Sequence, residues 1–568
     1  MKELVQRLKP KSETINNLLL SFAITFAVMV LSALILGCQY QTNDDYAMSL
    51  TVSGAYGEIS NRLIFSNTIL GIGLSWLYTV APIVHWYAWM HLAFLFFPSA
   101  ACVFLILETI RKKMRILIAL IFLGIATMPV VMQIQFTMES YFCILAGFAL
   151  FGYAFLKPQM QECRKKRVIM LIAAIIFVLL GVMIREKAVF SMLPFVILLA
   201  GVMLYKRDKR PLLWLITGCV VCAGAVYVNS VSFSSEKWQE YLKFNASRSE
   251  LLDSPRLDYD DNIAVFNAVG WSETDYNVFY SWMIADEDHF TTEKLDYIIE
   301  NGMWPPVTIG SLITDFAQSM DSVLKFFPFC FLFLCLSLCL RTRDDKILPL
   351  IVTGAVLCAH ILFIVMQRAP VRTVYPHYIL GILLLMLLID YSKFRIIRRK
   401  RDIQQNVKGS LNITGTAILV ICMGITLLVN TAIADTSKTQ ERYAYFIELD
   451  QYIIMNKDKI FLSSVSAGSE RYKAYSVFDV PEKGMLENYS SLGGWYTKSP
   501  RYFAFKTEHG MVNMFLSLLD DNVYLIEKGE PTLIQQYLYE DFQIQTQALL
   551  VAEFEDIGVY KLYKGSVI

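Results

Sequence analysis

The two long polar stretches of this chain lack cysteine altogether. None occurs in residues 232–325 or 433–568, although the chain has 11 in 568 residues. Most of them (Cys102, Cys143, Cys219, Cys222, Cys330, Cys335, Cys339, Cys358 and Cys422) lie inside apolar runs, where a thiol acts as a small packing group. A disulfide framework and a cysteine-based metal site are thereby excluded from the polar parts. Charge is scarce as well: charged residues make up 18% against 55% hydrophobic, and mean hydropathy is +0.45. The formal net charge of +1 says nothing about partners, because the basic residues are sorted by side of the membrane; no nucleic-acid partner is expected. There is no internal repeat and no low-complexity tract. No small-residue cleavage site follows the first apolar run. With Lys2, Arg7, Lys9 and Lys11 before it, that run is read as a retained first helix and not as a removed signal.

What the chain does have is apolar runs of about 18 residues or more, the length that crosses a hydrocarbon core of about 30 Å. Basic clusters separate them: the N-terminus, then 111–115, 164–167, 206–210, 341–343 and 393–401. Placing every cluster on the cytoplasmic side requires an even number of crossings between neighbours. Residues 64–84 are therefore read as one or two helices lying along the outer surface, with Trp76, Tyr78, Trp86, Tyr87 and Trp89 as interfacial aromatics. About eleven crossings follow, near 18–37, 87–110, 116–133, 139–156, 168–184, 188–205, 211–230, 323–340, 347–366, 374–391 and 411–432. The N-terminus is then cytoplasmic and the C-terminal part lies outside.

The expected fold class is an α-helical polytopic membrane protein with two outer additions. Residues 1–231 form an N-terminal transmembrane module whose first outer loop spans 38–86, and 323–432 carry the remaining membrane helices. Between them, 232–322 read as a helical outer loop domain, with helical periodicity at 238–244 and 292–299. Residues 433–568 read as a small outer α/β domain. In it, 459–464, 522–527, 548–555 and 558–563 are expected strands, and 441–455, 511–519 and 532–539 expected helices.

Candidate chemistry begins where the first helix leaves the bilayer, at Gln41-Thr42-Asn43-Asp44-Asp45-Tyr46. Two adjacent acids there are either a solvated helix-end pair or a base facing the outer surface. Two outer loops break the positive-inside pattern. One is Arg185-Glu186-Lys187; the other carries Arg368 and Arg372, followed by Tyr375, Pro376 and His377. Arginine holds phosphate oxygens in a bidentate fork, so these loops are either headgroup anchors or a phosphate site. The donor-phosphate candidates are Arg185, Lys187, Arg368, Arg372 and His377. Outward carboxylates beside outward arginines suit transfer of a group from a lipid phosphate. A base takes the acceptor's proton and positive charge stabilises the departing phosphate. In the tail, Trp495, Tyr496 and Arg501 are candidates for acceptor binding, since aromatic faces stack on sugar rings. A packed turn is the alternative there.

This layout resembles the GT-C superfamily of integral-membrane glycosyltransferases, which use polyprenyl-phosphate or polyprenyl-diphosphate sugars. The resemblance lies in the first helix, the outer loop with Asp44 and Asp45, the interfacial helices, the many crossings and the outer C-terminal domain. It implies that Asp44 or Asp45 acts as base or metal ligand. It also implies that Glu139, in the next outer loop, is a second acid and the candidate for holding a divalent cation. The expected function is an inverting, hexosyltransferase-type enzyme of the cell envelope. Its donor would be a polyprenyl-phosphate sugar and its acceptor a surface glycan, glycolipid or wall polymer. A polysaccharide polymerase or ligase is the alternative within enzymes, and a lipid-linked glycan flippase or transporter the alternative outside them. No Trp-Trp-Asp motif of the oligosaccharyltransferases is present, which disfavours protein N-glycosylation.

Overall fold

A computed structural model describes residues 2–110, 115–156, 163–205, 209–323, 334, 347–366, 370–388 and 436–565. The expected span 411–432 and nearly all of 323–340 lie outside the described residues, as does Arg368. Among the described residues, eight helical segments are long and apolar enough to cross a membrane, and the chain is a multi-pass membrane protein. They belong to α1 (Lys2–Leu36), then α4 (Trp86–Thr109) after α2 (Asn43–Ser53) and α3 (Thr68–Val80). Next come the paired segments α5 (Arg115–Phe122) and α6 (Met128–Met132), then α7 (Phe136–Leu156) and α8 (Arg164–Ile184). After the short α9 (Glu186–Ser191) and α10 (Leu193–Tyr205) runs α11 (Arg210–Ser232). The last two described spans are in α17 (Ile347–Val365) and α18 (Val371–Leu388), which follow five further helices between residues 236 and 323.

Three local features depart from continuous helices, each for a stated reason. The apolar α3 has 13 residues, too short to cross, as expected of a surface-lying helix. The expected span 188–205 is interrupted at Met192, between α9 and α10. Pro194, two residues on, lacks an N–H and its ring clashes with the carbonyl four residues earlier. Between α5 and α6 the chain makes a π-helical turn, Leu123–Thr127. Pro129 in α6 cannot donate to Ile125, and a bare carbonyl is costly in lipid. The Tyr375 hydroxyl of α18 donates to that carbonyl, and at 3.3 Å to the carbonyl of Ala126. The apolar core of the membrane part is shared by α4, α7, α8 and α18.

Outside the spans, α12 (Glu236–Leu252), α13 (Ile263–Ala268), α14 (Glu273–Tyr280), α15 (Thr292–Asn301) and α16 (Ile309–Val323) fill 236–323. The tail opens with α19 (Thr436–Arg442) and α20 (Tyr445–Met455) and holds a five-stranded sheet. After two short strands near the membrane, β1 (Gln39–Tyr40) and β2 (Gln133–Ile134), its strands are β3 (Ile460–Ser463), β4 (Tyr489–Ser491), β5 (Val523–Lys528), β6 (Thr546–Phe554) and β7 (Ile557–Lys564). Their order is β4-β3-β5-β7-β6; β4, β3 and β5 are parallel and β7 is antiparallel to β5 and β6. The α/β reading of the tail holds, with α21 (Val465–Gly468), α22 (Pro500–Glu508) and α23 (Thr532–Phe542) between strands.

Strand alternation sends neighbouring side chains to opposite faces. Ile460, Leu462, Val523, Leu525 and Leu562 pack with Phe244, Trp271, Phe279, Phe290 and Ile298 of the 236–323 helices. Phe461, Ile526, Ile557 and Val559 pack with Tyr46, Met48, Leu63 and Tyr78 of the segment between α1 and α4. The sheet is thus the middle of three layers, covered on both faces by segments that the sequence separates widely. This accounts for the unbroken burial of β3, which a two-sided parallel strand requires. Residues 511–519 form only a 3₁₀ turn, Leu516–Leu519, where a helix was expected. The Asn513 side chain accepts from the N–H groups of Phe515 and Leu516 at 2.9 and 3.2 Å, a local bond that competes with a helix start.

The closest seam between layers is at Gly493. Gly494 N donates to the Trp282 carbonyl at 3.2 Å, and Ala285 N to the Leu492 carbonyl at 3.0 Å. A Cβ on Gly493 would lie 1.6 Å from the Trp282 oxygen. Gly493→Ala is therefore expected to force the loop and the sheet apart and cost roughly 1–3 kcal/mol. Thermal unfolding of the detergent-solubilised protein checks this; an unchanged midpoint would refute the seam.

Candidate functional site

Helix α1 ends at Leu36, and Gly37 takes the left-handed conformation (φ 80°) that stops it. The chain then pairs β1 with β2 in parallel, Gln39 with Gln133 and Tyr40 with Ile134, and Gln41 N donates to the Ile134 carbonyl at 2.8 Å. Thr42 is the N-cap of α2, so Asp44 and Asp45 both stand in the first turn, where the helix dipole favours acids. Successive helical residues point about 100° apart. The two acids consequently meet different surroundings.

Asp45 is fully buried, at 0% exposure. It accepts from Thr42 Oγ1 at 2.9 Å, Tyr87 Oη at 3.3 Å and Phe136 N at 3.1 Å. It ties α2 to α4 and to the start of α7. Behind it, Glu139 is also fully buried and ion-paired with His91 Nδ1. Among the described residues, no trio of side chains close enough to hold a metal ion includes Asp44, Asp45 or Glu139.

Asp44 is half-buried. Burial raises its pKa above the ordinary carboxylate range; the charges of Arg372 and then Arg185 pull it down, and Trp495 does so more weakly. Arg185 follows the end of α8, with its guanidinium 4.9 Å from the Phe65 ring and 5.2 Å from Phe136. Burial lowers its pKa and Asp44 opposes that. Arg372 stands in the first turn of α18. Among the described residues neither guanidinium closes an ion pair onto Asp44. Trp495 reaches the same place from the tail, 4.6 Å from Phe65 and stacked on Tyr496 at 4.1 Å. Two membrane-proximal arginines, one acid and one tail tryptophan therefore converge.

The remaining candidates divide. Arg501 donates to Thr51 Oγ1 of α2 at 3.1 Å and lies 3.7 Å over Tyr56 and 5.2 Å over Tyr496. With Asn43, Arg62, Trp495 and Tyr496 it lines a cavity of about 770 Å³ between α2 and the tail. His377 is buried in α18, Nδ1 lying 2.7 Å from the Thr373 carbonyl and Nε2 3.1 Å from that of Ser191. Its ring is taken up by backbone. Lys187 is exposed on α9. Sequence reading missed Arg248 of α12, which is buried, lies 4.9 Å over Trp282 and feels the Asp44 charge. Its Nη1 is buried without a hydrogen-bond partner. An arginine in an outer polar segment violates no charge rule, so no signal marked it.

The two acids should also titrate differently. Asp45 is pushed up to about 7, first by burial, with the His91 charge opposing and the Glu139 charge adding. An unfolded aspartate titrates near about 3.9. Asp45 thus favours the folded state fully below about pH 4, and loses that contribution as pH rises through about 7. The unfolding midpoint of Asp45→Asn, measured relative to wild type, is expected to improve from pH 5 to pH 8. Equal differences at the two pH values would remove Asp45 as the titrating group.

No protein-family model matches the chain, and no curated protein matches it. Among solved structures it is similar to the crystal structure of ArnT from Cupriavidus metallidurans bound to undecaprenyl phosphate. The TM-score is 0.42 at 9% identity, over 96% of this chain and 98% of that one. The apo state of the same protein aligns with a TM-score of 0.39 at 12% identity, over 95% of this chain and 97% of that one.

Proposed function

We propose that the chain is a membrane glycosyltransferase that moves a sugar from a polyprenyl-phosphate donor to a surface glycan, glycolipid or wall polymer on the outer face. The observation that carries this reading is the half-buried Asp44 facing Arg185 and Arg372 at the membrane end of α2. On this reading the N-terminus is cytoplasmic and the tail lies outside, in keeping with the basic clusters between the spans.

Asp44 acts as the base. It takes the proton of an acceptor hydroxyl as that oxygen attacks the anomeric carbon. The bond from that carbon to the phosphate oxygen breaks, and the anomeric centre inverts in a single displacement. Polyprenyl phosphate leaves with the bonding pair, its charge held by Arg185 and Arg372. Burial helps here, since a carboxylate raised above its ordinary range is a better proton acceptor at neutral pH. The guanidinium forks have no contact ion pair with Asp44, so their donors are available to phosphate oxygens. The cavity lined by Trp495, Tyr496 and Arg501 suits a sugar acceptor, because aromatic faces and a guanidinium offer stacking and hydrogen bonds together.

Purified wild type is expected to release free polyprenyl phosphate from a labelled polyprenyl-phosphate sugar in the presence of a crude envelope-glycan acceptor. Asp44→Asn should reduce release by about 10²–10⁴-fold, the usual weight of a general base. Arg185→Gln and Arg372→Gln should weaken donor binding. A folded Asp44→Asn protein with undiminished release would overturn the assignment of the base. Donor binding without turnover by wild type would favour a flippase.

A further inference from the structure

Away from this site, three side chains from three segments meet where the 236–323 helices touch the tail. Asp275 stands in the first turn of α14, His289 in the turn before α15, and Asp541 near the end of α23. One ligand atom from each lies within 4.8 Å of the other two. Asp275 is 2% exposed, and its Oδ2 is already used by Ser272 N at 2.7 Å in a capping box. Its other oxygen, Oδ1, is buried and pairs with His289 Nε2, in a contact whose angle does not make a good hydrogen bond for either atom. These two atoms stand 3.0 Å apart, and His289 Nδ1 is 3.6 Å from Asp541 Oδ1.

One ion takes one ring nitrogen of His289; its tetrahedral ligands at about 2.1 Å stand about 3.4 Å apart, so Asp541 would close in on the ion from the wider 4.8 Å spacing of the cluster. The imidazole is held in place for such a role. Trp271 stacks on it at 6.3 Å with a 16° interplanar angle, and His289 N donates to Asp286 Oδ1 at 3.1 Å. Asp286 is fixed in turn by the Tyr537 hydroxyl at 3.1 Å. Acidic charge is concentrated here: Glu540 also reaches in, accepting from Ser272 Oγ at 3.0 Å.

We propose that Asp275, His289 and Asp541 form a divalent-cation site that fastens the inter-span helices to the tail domain. One imidazole and two carboxylates suit Zn²⁺ or Mn²⁺. The exposed side of Asp541 leaves room for water to complete the coordination. This role is structural and independent of the transferase reading.

The test uses the full chain in detergent, free of any histidine tag and stripped with a chelator. Zn²⁺ is titrated, bound metal is counted by mass spectrometry after gel filtration, and the unfolding midpoint is recorded. One equivalent bound per chain is expected, with a midpoint that rises with Zn²⁺ concentration. His289→Gln and Asp541→Asn should each weaken binding at least tenfold; Asp541 is at the surface, so its variant keeps the fold. Wild type that binds no more Zn²⁺ than the His289→Gln/Asp541→Asn double variant overturns the site and leaves a hydrogen-bonded Asp-His-Asp cluster. Donor release measured on the same samples keeps the two proposals separable, because wild type that binds no Zn²⁺ yet releases polyprenyl phosphate rejects this site alone.

Discussion

The buried carboxylate of Asp45 is the constraint on which the outer half of the molecule depends. A chain leaving a membrane must give partners to its polar backbone at once, or lose several kcal/mol per bare group. Here the exit is closed by two two-residue strands and by Asp45, which gathers a hydroxyl from α4, a hydroxyl from Thr42 and the backbone N–H of Phe136. Those bonds offset the desolvation of the acid and fix the rotation of α2 about its own axis. Once that rotation is fixed, Asp44 faces Arg185 and Arg372. The anchoring of one acid aims the other.

The opposite face of α2 is fixed by the tail. Tyr46 stacks on Tyr475 at 5.4 Å, and Tyr475 bonds to Asp450, which is itself paired with Arg471 inside the domain. Both partners of that pair are buried, and a buried pair of this kind is costly to break from one side only. The tail is consequently more than an appendage. It supplies one wall of the cavity, brings Trp495 to the acid, and shares a core with the helices between the spans. A site assembled from α2, α8, α18 and the tail exists only when all of these layers are docked.

Much of the fold was legible because the bilayer and the sheet impose strong periodicities. Length and apolarity marked the spans, and the short apolar runs in Ile460 to Ser463 and Val523 to Lys528 marked strands within a residue or two. The short β4 carries no such run, and its existence depends on pairing with β3. Helix α22 was announced by Ser499 as N-cap and Pro500 at the first position, a signal that went unused. The break at Met192 was likewise readable from Pro194. At the site, the outer acids stand out as a pair, and the arginines Arg185 and Arg372 as charges placed against the membrane bias. Which of Asp44 and Asp45 faces those arginines was not legible, because that depends on a rotation set by Tyr87 and Phe136. Nor could sequence reveal that the nitrogens of His377 would be taken up by carbonyls of its own helix and of Ser191.

The spacing of charge around Asp44 separates a working site from a structural ion pair. Where this protein uses charge for structure, the partners close on each other: Asp450 on Arg471, Lys166 on Glu108 at 2.7 Å, Lys506 on Glu287 at 2.6 Å. Around Asp44 they do not close, although burial makes separated charges expensive and Arg185 has its pKa lowered by it. The Arg185 guanidinium lies over the aromatic faces of Phe65 and Phe136. The Arg248 nitrogen left bare nearby adds to the same imbalance. On the proposed reading, the donor phosphate is the anion that fills the gap between Asp44 and these guanidinium groups.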